Sequence, residues 1–204
     1  MPALYGAKGS GAAAIEAALV LAEIPFRWVE AASWEPGPGL EELKRVNPLA
    51  QIPTLVLEDG TVMTESAAIL VSLGLRYPKS GLLPAEPAQA IRGLVFIAAN
   101  CYAAIGVIDY PARFCADADD ATSERIRAGT KKRLHEYWDL FADQFPLFQD
   151  KRLGAIEILA AVVSRWSGAR QHLAQSRPAF HAVLEKVEED RRIAGIFARH
   201  WPKA

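Results

Sequence analysis

The sequence predicts a small α/β unit over residues 1–77, a linker over 78–86 and an all-helical unit over 87–204. Three observations predict this division. The first 77 residues carry strand and helix patterns in the order β-α-β-α-β-β-α. The stretch Tyr77-Pro78-Lys79-Ser80-Gly81-Leu82-Leu83-Pro84 is dense in turn residues. From Glu86 onwards no convincing strand pattern follows, and the spacing of apolar residues is helical.

In the first unit, Ala3-Leu4-Tyr5 is a short apolar run that suits a buried strand. Gly6-Ala7-Lys8-Gly9-Ser10-Gly11 reads as a flexible loop. Ala12 to Ala22 is rich in Ala and Leu and predicts a helix, with Ser10 near its N-cap. Phe26-Arg27-Trp28-Val29-Glu30 alternates apolar and polar residues, the period of a strand. Strand, helix and strand in about 30 residues make a βαβ unit. The loop Ser33-Trp34-Glu35-Pro36-Gly37-Pro38-Gly39 comes next, then a short helix from Leu40 to Val46, ended by Asn47-Pro48.

Residues 47–69 are the most informative stretch. Gln51-Ile52-Pro53 leads into the apolar run Thr54 to Leu57. Asp59-Gly60 is a hairpin signal before Thr61-Val62-Met63. A helix from Glu65 to about Arg76 follows, with Thr64 as its expected N-cap. A proline at the mouth of a strand cannot donate a ladder hydrogen bond. A cis Ile52–Pro53 bond accounts for it and would turn the Ile52 N–H and C=O toward an open edge, where an extended peptide can pair. Glu65 and Ser66 at a helix start present a carboxylate, a hydroxyl and free backbone N–H groups. An ordinary strand, hairpin and helix with an edge proline is the structural alternative.

In the second unit, helices are expected over Pro87 to about Val107, Ser123 to about Phe145, Gly154 to Trp166, Pro178 to Glu189 and Arg191 to Ala198. Pro87 and Pro178 suit first-turn positions. In Gly154-Ala155-Ile156-Glu157 the acid can reach back to the N-cap N–H, which is half of a capping box.

The pattern of Asn47-Pro48, Gln51-Ile52-Pro53-Thr54-Leu55, a hairpin and Glu65-Ser66 resembles the glutathione-binding half of the glutathione transferase family. The resemblance extends over nearly the whole chain. It implies a thioredoxin-like first domain, a helical second domain and a homodimer. It implies that glutathione binds on Gln51, Ile52, Pro53, Glu65 and Ser66, with Gln51 and Ile52 meeting its cysteinyl backbone and carboxylate end and Glu65 and Ser66 its γ-glutamyl end. Lys44, or Arg45, would meet the glycyl carboxylate, with Trp34 walling the pocket; a solvated helix face is the other reading of the two cations.

A free thiol has a pKa near ~8.5, and a donor aimed at the sulfur lowers it. The resemblance puts the sulfur near the loop after the first strand, which offers Tyr5, Lys8 and Ser10. Ser10 is the first choice as catalytic donor, with plain N-capping as its other role; Tyr5 is the second, unless it is core. Alternatively Gly11 takes the catalytic position and backbone N–H groups hold the sulfur. The loop carries no cysteine, which argues against chemistry through an enzyme thiolate. Asn100, Tyr102, Tyr110 and Arg113 are the candidates for an electrophile pocket, though its aromatics also suit a core. Cys101 and Cys115 are expected on similar helix faces as structural residues. His135, His172, His181 and His200 are scattered and form no metal spacing.

The net charge of −1 gives no nucleic-acid footprint. No apolar run reaches roughly 18 residues, no signal peptide is expected, and two cysteines without a metal or redox pattern suit a reducing cytoplasm. The function expected is conjugation of glutathione to a small hydrophobic electrophile, a detoxification chemistry, without a metal. A glutathione-dependent isomerase, a disulfide reductase and a non-catalytic binding protein are the alternatives.

Overall fold

The computed structural model describes residues 1–145, 147 and 152–202. Four strands, β1 (Ala3–Gly6), β2 (Arg27–Glu30), β3 (Thr54–Val56) and β4 (Val62–Met63), form one sheet in the order β2-β1-β3-β4. β1 pairs parallel with β2 and antiparallel with β3, and β3 pairs antiparallel with β4. The helices of this half are α1 (Ala12–Leu21), α2 (Pro38–Val46) and α3 (Ser66–Arg76). This is the thioredoxin-like plan, followed, among the described residues, by helices and no strand.

The period-two alternation of β1 decides which helices lie on which face. Leu4 enters the main core with Ile15, Leu19 and Leu70. Ala3 and Tyr5 point the other way, to Val29 and Leu43 of β2 and α2. Residues Ala12 to Leu19 of α1 are buried on every side, and apart from Glu16 they are apolar all round, so the helix is not amphipathic. It packs on α3 and on a helix of the second half.

The hairpin closes through three residues, Glu58 to Gly60. The Leu57 N–H donates to Thr61 O at 2.8 Å and the Gly60 N–H to Leu57 O at 3.0 Å. Gly60 takes φ +83°, the left-handed position that such a loop assigns to glycine. Thr64 is not the cap expected: Glu65 precedes the first turn of α3, and neither side chain caps it.

The second half comprises α4 (Ala88–Phe96), a π-helical segment Ile97–Tyr102, α5 (Ala103–Asp109), α6 (Asp120–Gln144), α7 (Ala155–Val163), α8 (Ala169–Ser176), α9 (Pro178–Glu189) and α10 (Ala194–His200). The single helix expected from Pro87 is therefore interrupted by a wider turn. Within the run Ala88–Asp109, 22 residues long, a window of 18 residues has a mean hydropathy of 1.8, which by length and composition alone could cross a bilayer. That corrects the expectation that no such run exists; here it packs against α3, α6 and α7. Three further corrections concern this half. α6 starts at Asp120 because the Asp119 carboxylate accepts the Thr122 N–H at 2.7 Å. α8 was not expected, since its exposed face is polar. Cys101 is buried on the π-helical segment, whereas Cys115 lies beyond α5 in non-helical chain, so the two share no helix face.

Candidate functional site

Three segments converge at one end of the sheet. Tyr5 pairs with Thr54, so the loop Ala7–Gly11 leaves β1 beside the start of β3. The β3–β4 register, Leu55 with Met63, continues to set Pro53 and Glu65 at the same open end of the hairpin. The Ile52–Pro53 bond is cis, as the sequence predicts. Ile52 lies ahead of β3, in no strand ladder among the described residues.

The corner at residues 51–53 is braced from beneath by two buried polar side chains that the sequence reading assigned no role in the site. Asn47 donates to Gln51 O at 3.1 Å and to Thr54 Oγ1 at 2.9 Å. Thr54 in turn donates to Gln51 O at 2.8 Å. Both side chains are buried and their bonds made, so they stiffen the corner at no unpaired cost. The pattern Asn-x₆-Thr across a proline corner is the signal that could have found them.

At the head of α3, Glu65 has φ +62°, a left-handed conformation costly for a side chain with a Cβ and typical of constrained functional positions. Its carbonyl accepts the Ile69 N–H at 2.9 Å. The N–H groups of the first turn then face outward from a helix start, a geometry that suits a carboxylate. Glu65 is exposed and Ser66 half-buried at this end.

The catalytic candidates are both committed elsewhere. Ser10 is buried and donates to Ala7 O at 2.7 Å, while its oxygen accepts the Ala12 N–H at 3.2 Å. It ties the loop to α1 without being the N-cap residue, which is Gly11. Tyr5 faces α2 and donates to Glu42 Oε1 at 2.7 Å, where Arg27 also donates at 2.8 Å. Burial, followed by the Glu42 carboxylate, pushes the Tyr5 phenol above its ordinary value.

Of the other candidates, Lys44 pairs with Glu41 at 2.7 Å on an exposed face of α2, with Arg45 also exposed. Trp34 is exposed in its loop. Asn100 donates to Phe96 O within its own helix at 3.1 Å. The Arg113 guanidinium stacks 3.9 Å from the centre of the Tyr110 ring, and both are exposed beyond α5. Tyr102 alone of this group reaches the first half, with its hydroxyl against Gly11. Burial, then the carboxylates of Asp109 and Glu65, raise its phenol pKa, against a lowering contribution from the Gly11 N–H. Asp109 is itself pushed up by burial, with Arg127 opposing.

His200, set aside as one of four scattered histidines, is buried and accepts the Gly9 N–H on Nδ1 at 3.1 Å. Its Nε2 meets Glu16 Oε2 at 2.8 Å, and Arg199 pairs with the other Glu16 oxygen. No sequence spacing could reveal a contact between residues 184 positions apart. Among the described residues no group of three or more His, Cys, Asp or Glu is placed to hold a metal ion.

Residues 12–74 match the family model described as the N-terminal domain of glutathione S-transferase. Over 202 residues the chain is 28% identical to the uncharacterized GST-like protein YncG of Escherichia coli (strain K12), with 97% of each chain covered. A shorter stretch of 46 residues is 48% identical to a probable maleylacetoacetate isomerase of Caenorhabditis elegans, covering 22% of this chain and 21% of that protein. Among solved structures, a glutathione transferase homologue from Sulfitobacter with bound glutathione superposes with a TM-score of 0.80 at 20% identity, covering 96% of both chains.

Proposed function

We propose that this chain, whose residues 12–74 match the N-terminal domain of glutathione S-transferase, is a member of that family, binds glutathione at the open end of the sheet and uses its thiolate on a small hydrophobic electrophile. The observation that carries the reading is the head of α3, where the left-handed Glu65 sets Ser66 and the first-turn N–H groups outward beside the Gln51–Pro53 corner. The Ile52 N–H and C=O pair with the cysteinyl backbone, and Gln51 and Pro53 shape that corner. Glu65 takes the γ-glutamyl ammonium, and Ser66 with the helix start takes its carboxylate. Lys44 supplies the cation for the glycyl end once it leaves Glu41. The thiol then lies at the head of α1.

The chemistry is balanced without a further reactant. The thiol gives its proton to solvent, and the thiolate forms a bond to an electrophilic carbon. A leaving group departs with its electron pair, or the added carbon takes up a proton. Asn100, Tyr110 and Arg113 would border the electrophile. The two cysteines, free among the described residues, suit a reducing cytoplasm.

A second copy of the chain completes the proposed assembly. An open groove of about 990 Å³ runs between α3 and α4, lined by Ala67, Ala68, Val71, Leu75, Val95 and Ala98, with Glu65 at one end. Leu75 and Val95 are exposed on it. Small residues admit close helix approach, and a two-fold contact would set the acidic start of α3 toward the basic Arg76 end of its copy.

The test is calorimetric titration of reduced glutathione into wild type and Ser66→Ala, with light scattering for mass. Saturable binding to wild type, weakened about tenfold or more in Ser66→Ala, supports the site. Absence of binding to wild type overturns it. A monomeric mass would overturn the dimer, and Val95→Glu should turn a dimer into a monomer. The short match to a probable maleylacetoacetate isomerase favours, as a second reading, a glutathione-dependent isomerase; turnover of maleylacetoacetate with no consumption of glutathione would select it.

A further inference from the structure

The head of α1 is where the loop after β1 delivers the sulfur in the proposed function, and there Ser10 and Tyr5 have no proton to offer. A third hydroxyl is present. A Cβ placed on Gly11 would lie 2.7 Å from the Tyr102 hydroxyl and 3.4 Å from its Cζ, so this side chain of the second half takes the space a side chain at Gly11 would occupy. The Gly11 N–H bears on the phenol oxygen. The hydroxyl donates to no acceptor among the described residues, so its own hydrogen is available.

The position is held from both sides. Tyr102 closes the π-helical segment Ile97–Tyr102, a wider turn that changes where its side chains aim and is frequent at functional sites. Trp166 meets the phenol ring edge-on with centroids 5.7 Å apart, and Trp201 backs Trp166 at 6.4 Å. Gly11 leaves room for the hydroxyl that any larger residue would displace.

We propose that Tyr102, reaching over Gly11 from the helical half, is the catalytic residue that donates its O–H to the glutathione sulfur. This rests on the reading of glutathione as the ligand. The hydrogen bond forms as the thiol loses its proton to solvent, and Tyr102 keeps its own proton throughout. No covalent bond to the enzyme is made. Burial and the carboxylates of Asp109 and Glu65 keep the phenol protonated at neutral pH, the form that can donate. The Gly11 N–H is directed at the phenol oxygen and polarises the O–H that the sulfur accepts.

Tyr102→Phe tests this, because it deletes the hydroxyl and leaves the ring against Trp166. Glutathione affinity is measured by calorimetry, and the bound thiol is titrated by its ultraviolet thiolate absorbance. The expected result is an affinity within about threefold of wild type and a thiolate fraction at neutral pH about tenfold lower, with the rate on a dinitrochlorobenzene falling in proportion. An unchanged thiol titration overturns the proposal. So does a loss confined to affinity, the mark of a packing role. If wild type itself binds no glutathione, the failure lies in the broader reading, and it is visible before any variant is made.

Discussion

The Gly9 backbone N–H donates to Nδ1 of His200 at 3.1 Å, so the last helix of the chain fastens the loop that opens the first. With Nδ1 accepting, the ring proton sits on Nε2 and is donated to Glu16 Oε2 at 2.8 Å. One imidazole thereby satisfies a buried N–H and half of a buried carboxylate. His200→Ala removes both bonds and leaves a cavity beside Trp28, whose ring meets the imidazole edge-on. The expected loss is about 2–4 kcal/mol of folding stability, read by urea denaturation. A loss under about 0.5 kcal/mol would show that the contact is incidental.

Glu157 accepts the Gly154 N–H at 3.0 Å at the start of α7, a helix whose nine residues are almost all buried. Gly154 has no hydroxyl to return the bond, so only the acid half of the box exists. Glu157→Ala should cost about 1–2 kcal/mol, seen as a lower thermal midpoint, with glutathione affinity unchanged because this cap sits against Gly81 and Leu82. A change in affinity without a change in stability would contradict a purely structural cap.

His135 stacks on His172 with centroids 4.4 Å apart and planes 13° from parallel. Burial holds the His135 pKa below its ordinary value; the Ser167 carbonyl and Asp139 oppose that, while His172 and Lys131 add to it. Below about pH 6.5 the unfolded chain therefore takes up a proton that the folded chain resists. The stability contributed by His135 is intact above that pH and falls as pH drops through it. The thermal midpoint of wild type should drop more steeply than that of His135→Gln between about pH 7.5 and about pH 5.5. Parallel curves would remove His135 from the acid response.

Burial pushes the Cys101 thiol far up, and Cys115 is half-exposed in non-helical chain. A maleimide should label Cys115 in the native protein and both cysteines after denaturation. Rapid native labelling at Cys101, mapped by mass spectrometry, would mean that the π-helical segment opens readily.

Much of the fold could be read directly. The βαβ start, the hairpin, the change to helices after Glu86 and the acid-only cap at Gly154 are each written in a window of a few residues. Misreadings arose where the deciding partner lies outside the window. Thr64 has a capping side chain, yet the chain turns at Glu65 because α3 must leave the hairpin there. An Ala-rich run such as Ile97–Tyr102 does not announce a π turn, because its apolar periodicity reads the same with or without the extra residue. α8 carries Arg, Gln, His and Ser over eight residues, and its buried Ala169 and Leu173 are too few to mark it.

The candidate site divides in the same way. The corner at residues 51–53 and the helix start at Glu65–Ser66 belong to one continuous stretch, so their joint geometry follows from local bonding and hairpin register. Which hydroxyl stands at the head of α1 does not follow locally. Ser10, a neighbour in sequence, turns its proton to Ala7, while Tyr102, some ninety residues away, comes to Gly11. That choice is made by how the run Ala88–Asp109 packs against α6 and α7 and by the absence of a Cβ at Gly11. Distances between remote side chains are set by packing, and no local pattern encodes them.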